Sequence, residues 1–203
     1  MKNEINRIAG RLVKAFNTNT VINPIPVKYC KNINLANKLR KLCEDQIKDE
    51  TIGIKAGGTG IQALKKLKEK EPFTAKVFNK RLVKSGQKVK INQHTKGIEV
   101  EVYYFIKKSF FDFKGKVTKS NVTKFIKFMG PCFEIVGFRQ RNKKFTYLGD
   151  ICGDFGFNIK FVVGRKTKFK KLNLNNLKTS LVSKKNGVKV NGNTNIVYIN
   201  PLN

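Results

Sequence analysis

Apolar residues at Ile5, Ile8, Leu12, Val13 and Phe16 recur at helical spacing, so residues 3–17 are predicted to form an amphipathic helix. The polar stretch 17–23 ends it, and Pro24 and Pro26 keep the following chain extended. Leu35, Leu39, Leu42, Cys43 and Ile47 share one face of a second helix. Near residue 52 the period changes. Ile52 and Ile54 alternate as in a strand, and Gly57, Gly58 and Gly60 turn the chain into a short helix, IQALKKLKEK. Beyond Phe73 the pattern predicts strands at 74–78, 87–91, 97–107, 131–138 and 157–163, with a helix over 120–129 between them. Lys185-Asn186-Gly187 marks a hairpin turn joining two further strands. Helices first and strands later predict an α+β fold, with residues 1–50 as an N-terminal helical layer and 51–203 as a mixed β domain, together one structural unit.

A chain of 203 residues, 40% of them hydrophobic, is long enough for one such unit with a real core. Composition adds a strong charge bias, 43 Lys+Arg against 13 Asp+Glu, for a net +30. That favours an anionic partner such as nucleic acid. The charge is also spread along the whole chain, in a background rich in Lys, Asn and Ile, so non-specific attraction explains it equally. Cys30, Cys43, Cys132 and Cys152 form no C-x-x-C pair and do not gather near the lone His94, which argues against zinc. His94 sits in a polar turn, INQHTKG, and is expected at the surface. Neither a signal-peptide core nor the ~20 apolar residues of a membrane helix occurs, so the expectation is a soluble, cytoplasmic protein without a membrane partner. The glycine turn after Ile54 lacks both common nucleotide-binding patterns.

With so few acids, their placement is informative. Glu99 and Glu101 lie in GIEVEVYYFI, where alternation puts both carboxylates on one face, ~7 Å apart at the backbone. Glu134 sits alone in the apolar run GPCFEIVGF. Carboxylates in such surroundings need compensation. Either the abundant lysines pair with them, or they converge on a hard cation such as magnesium (Mg2+) or manganese (Mn2+). The run Tyr103, Tyr104, Phe105, Phe110, Phe111, Phe113 interleaved with lysines could stack single-stranded nucleic acid, though a strand with one buried face gives the same pattern.

In chain order, IGIKAGGTG, KEPFTAKVF, GIEVEVYYFI, CFEIVGFRQR, DICGDFGFN and NNLKTSLVSKKNGVKVNGNTNIVYINPLN resemble successive segments of the 2-oxopent-4-enoate hydratase and 4-oxalocrotonate decarboxylase family, within the fumarylacetoacetase-like superfamily. The resemblance implies a rolled, mixed β-sheet behind the N-terminal helices. It implies a divalent metal, Mg2+ or Mn2+, held by Glu99, Glu101 and Glu134, with Lys55 as the catalytic proton carrier and Arg139 and Asp154 in support. The implied activity is that of a lyase on small 2-oxo acids. Hydration of 2-oxopent-4-enoate, a step of aromatic catabolism, ranks first and decarboxylation second. A homo-oligomer is the implied assembly.

Several positions depart from the family pattern. Phe73 stands where the family has an acid, Phe155 where it has an Asn, and Phe157 near an expected small hydroxyl residue. Family members also continue beyond Pro-Leu-Asn with a helix and further strands, so a truncated, incomplete sheet is expected here. A second function class therefore stands beside the enzyme: a non-catalytic relative whose positive charge binds a polyanion or another partner.

Overall fold

The computed structural model describes residues 2–91, 94–170 and 174–197. The chain opens with α1 (Lys2–Thr18), which buries Ile5, Ile8, Leu12 and Phe16 along the predicted face. Then come α2 (Lys28–Lys31) and α3 (Ile33–Glu44). The Asn32 side-chain oxygen caps α3 by accepting from the amides of Asn34 and Leu35. Ile47 lies beyond the end of α3 yet still packs against its core.

Next, β1 (Thr51–Gly57) pairs antiparallel with β2 (Phe73–Phe78) across α4 (Ile61–Leu67). After a short 3-10 turn come β3 (Leu82–Lys84), β4 (Thr95–Ile106), α5 (Lys119–Val122) and β5 (Ile126–Gly137). The remainder holds α6 (Leu148–Cys152), β6 (Asn158–Val163), β7 (Thr167–Lys168), and the hairpin β8 (Lys178–Val182) and β9 (Lys189–Asn193). The larger sheet runs β3-β6-β5-β4, with β7 also on β5. Only β3 and β6 are parallel, so the sheet is mixed.

Two predicted elements are corrected. No strand forms over 87–91, although its alternation has period two. Gly86, at φ 88°, turns the chain, and the Gln87 amide donates to the Lys84 carbonyl at 3.2 Å. The strand lies at Leu82–Lys84, where Phe161 and Val162 offer a neighbour; alternation without a neighbour leaves Ile91 exposed. The predicted helix over 120–129 stops at Val122, because Ile126 and Phe128 pair with Ile106 and Phe105 in β4. His94, expected at the surface, is half-buried ahead of β4. Of the aromatic run, Phe105 and Phe111 stay exposed while the two tyrosines are partly covered.

The helices share a buried core with Phe78 and Phe155. A second cluster joins Ala36 to Leu64, Phe73, Ala75, Leu148 and Cys152. Each large side chain buried here stabilises the fold by roughly 1.5–3 kcal/mol. Side-chain pairs tie the β1–β2 hairpin and the loop after α6 to β5 and the residues just after it, Lys55 of β1 to Glu134 and Asp154 of the loop to Arg139. All four cysteines are free and buried. The Pro-Leu-Asn segment at 201–203 lies outside the described residues.

Candidate metal centre

The β4–β5 register puts Glu99 directly opposite Glu134, and Glu101 opposite Cys132. Cross-strand partners share a face, so the three carboxylates stand together on one side of the sheet. One oxygen from each lies within 4.8 Å of the other two. Burial is graded: Glu99 is exposed, Glu101 half-buried and Glu134 fully buried. Alternation revealed the first two from sequence; the third needed the pairing of distant strands.

Lys55 reaches the same place from β1. Its Nζ donates to both Glu134 oxygens at 2.6 Å and to the Gly156 carbonyl at 3.1 Å. The polarity of β1 is the reverse of what apolar alternation suggests. Ile54 is 73% exposed and Ile52 39%, while the Lys55 side chain is only 10% exposed. An inward lysine is tolerated because the buried carboxylate receives it.

Gly156 was not singled out in the sequence. It lies between Phe155 and Phe157, and all three have positive φ, at 52°, 67° and 72°. Such backbone is costly for phenylalanine and persists only where its surroundings over-determine it. A Cβ on Gly156 would sit 2.7 Å from the Ala75 Cβ and 3.7 Å from Lys55 Cδ. The sequence signal was a glycine flanked by aromatics in DFGFN.

Arg139 and Asp154 form a buried ion pair at 3.2 Å. Asp154 also accepts from the Arg139 amide at 2.8 Å and from Gln140 Nε2 at 3.1 Å, and Arg139 donates to the Asn158 carbonyl. The pair therefore clamps both ends of the 155–157 turn that presents the Gly156 carbonyl to Lys55. Phe73 is buried at the foot of this turn, and the Phe157 ring packs on Phe138 with centroids 4.6 Å apart.

Burial pushes the Glu101 carboxyl up to about 7, helped by neighbouring Glu99 and opposed by Lys55. Burial also raises Glu134, against the pull of Lys55. With all groups ionised, the three carboxylates and one ammonium carry two excess negative charges, which a divalent cation would balance. An all-oxygen donor set suits a hard ion such as magnesium. The residues present thus fit such an ion.

Comparison with known protein families finds none that matches, and no curated protein sequence matches the chain. Solved structures do. A 4-oxalocrotonate decarboxylase from Pseudomonas putida G7, complexed with magnesium and adipate, is similar at a TM-score of 0.75 and 17% identity, over 100% of this chain and 78% of that one. The same enzyme complexed with calcium and acetate is similar at 0.77 and 17%, over 100% and 77%. No helix among the described residues is long and apolar enough to cross a membrane. The chain thus has the α+β fold of a 4-oxalocrotonate decarboxylase, with N-terminal helices and a mixed sheet.

Proposed function

We propose that this protein is a divalent-metal-dependent lyase acting on small 2-oxo acids. The observation that carries the reading is the convergence of Glu99, Glu101 and Glu134 within 4.8 Å beside Lys55. Glu99, Glu101 and Glu134 would hold Mg2+ or Mn2+, which supplies Lewis acidity for the negative charge that develops on a 2-oxo acid during reaction. Lys55 stands beside this charge as the proton carrier. The Gly156 carbonyl and Glu134 fix its Nζ, and the Arg139–Asp154 pair holds the turn that makes this possible.

Hydration ranks first on sequence alone, but one observation favours decarboxylation. Hydration needs a held water, whereas the turn beside Lys55 is backed by buried Phe73 and by Phe157 packed on Phe138. Apolar surroundings favour loss of carbon dioxide, because they destabilise the substrate carboxylate more than the dispersed charge that follows. The fold of a known decarboxylase supports the same choice. A homo-oligomer remains part of this proposal.

Calorimetric titration with magnesium and oxalate, a mimic of the enolised acid, tests binding. Wild type is expected to bind both, and Glu101→Ala to lose magnesium binding. The chemistry is followed by ultraviolet absorbance on 4-oxalocrotonate and 2-oxopent-4-enoate, with faster loss expected for the first. Failure of wild type to bind magnesium, or equal binding by Glu101→Ala, sinks the proposal.

A further inference from the structure

A second concave site lies away from the carboxylates. A cavity of about 510 Å³ is lined by Phe16, Gln46, Lys48, Lys80, Arg81 and Lys160, with Asp49 its only acid. Its volume is in the range of small-molecule sites. Glu134 pairs with Phe161, and Lys160 with Ile135, so Lys160 lies on the opposite face of the sheet from the metal-site carboxylates. A shallower hollow next to it shares Arg81 and Lys160 and adds Lys88 and Lys90.

Arg81 sets this site apart from the general positive charge of the chain. Its guanidinium lies 3.7 Å from the centroid of the Phe16 ring and donates to the Phe16 carbonyl. Its Nε is buried without a partner, and among the described residues Arg81 makes no ion pair. Arg139, the other guanidinium against Phe16, is by contrast matched by Asp154. Asp49, whose oxygens accept from the Glu50 and Lys80 amides at 3.0 and 2.9 Å, offsets part of the charge on Arg81 and Lys160, but it is one acid against Lys48, Lys80, Arg81 and Lys160. Lys160 is held in place by donating to the Lys80 carbonyl at 2.7 Å. Burial, then repulsion from Arg139, lowers the Arg81 pKa to about 10, and burial followed by Arg81 lowers that of Lys160. These cations are crowded together at an electrostatic cost that a bound anion would relieve.

We propose that the cavity lined by Lys48, Lys80, Arg81 and Lys160 binds a polyphosphate group, either free or as the phosphate chain of a nucleotide. A stacked guanidinium at the cavity wall, with no carboxylate partner among the described residues, suits a phosphate group, and the flanking ammonium groups suit a multiply charged chain over a single carboxylate. The site is independent of the metal-centre reading.

The test is calorimetric titration of the full chain with inorganic tripolyphosphate at about 0.15 M salt, where the Debye length of ~8 Å screens diffuse surface attraction. One tripolyphosphate per chain is expected. Arg81→Gln should weaken binding about tenfold or more, and so should the exposed pair Lys48→Gln with Lys80→Gln, which spares Arg81's contacts with Phe16. The control pair Lys184→Gln with Lys185→Gln, on the β8–β9 hairpin and outside the lining of either hollow, should bind as wild type. Binding of ATP no tighter than tripolyphosphate supports a site for the phosphate chain alone, and tighter binding supports a nucleotide. Many equivalent weak sites, equal loss in the control pair, or full affinity in the Lys48/Lys80 variant would overturn the proposal. Malonate binding as tightly as tripolyphosphate would also refute it.

Discussion

At the scale of single residues, the site is a balance between burial and compensation. Of the three clustered carboxylates, Glu134 is the most buried and is paired with Lys55. Glu101 is less buried, pairs with no lysine among the described residues, and is raised to about 7. Its ordinary value is 4.5, so between 4.5 and about 7 the folded chain binds more protons at this position than the unfolded chain. Stability must therefore fall as pH rises through that window, through the cost of ionising a buried acid. Without divalent ions, the melting temperature of wild type should drop between pH 5 and pH 8 by more than that of Glu101→Gln. Equal pH slopes for the two proteins would disprove this reading. The alternation of GIEVEVYYFI made Glu99 and Glu101 legible as a pair. It could not show that β5 lies in the register that sets Glu134 opposite Glu99, because that register arises from pairing across more than thirty intervening positions.

At the scale of elements, the turn 155–157 decides where Lys55 points. It is held in the left-handed region by the Arg139–Asp154 pair and by Phe155, which is buried against Phe16 at 4.3 Å between centroids. Gly156→Ala should lower stability by about 1–3 kcal/mol, since the added methyl meets Ala75 and alanine, unlike glycine, is strained at φ 67°. A urea titration would show this as a lower midpoint at unchanged slope. An unaltered midpoint would mean that the turn relaxes freely. Helix α1 was legible because a surface helix carries its own period of apolar positions. The strand predicted at 87–91 does not form, and Ile126 to Met129, predicted as the end of a helix, are strand, because a short apolar stretch becomes a strand only where a neighbouring strand accepts it.

For the whole molecule, the helical layer and the β portion share one buried cluster, with Leu12 and Leu39 of the helices packed beside Phe78 and Phe155. Leu12 is fully buried, so Leu12→Ala should cost about 2–5 kcal/mol. If helices and sheet fold as one unit, calorimetry will show a single transition displaced to lower temperature. Two separated transitions, with only the first displaced, would show that the layers unfold independently. Phe155 of that cluster belongs to the turn that presents the Gly156 carbonyl to Lys55, so a core substitution in α1 should disturb the candidate metal centre without touching it.

The amino-acid sequence by itself determined the arrangement of helices first and strands later, the shared face of Glu99 and Glu101, and the excess of positive charge, since each depends on neighbours in the chain or on composition alone. Only the tertiary structure decided that Lys55 faces inward while its neighbouring isoleucines face solvent, that Glu134 joins the other two acids, and that Arg81 has no carboxylate partner among the described residues. The physical reason is the same in each case. The energy of a charge is set by what surrounds it in space, and those surroundings are assembled from segments far apart in the chain.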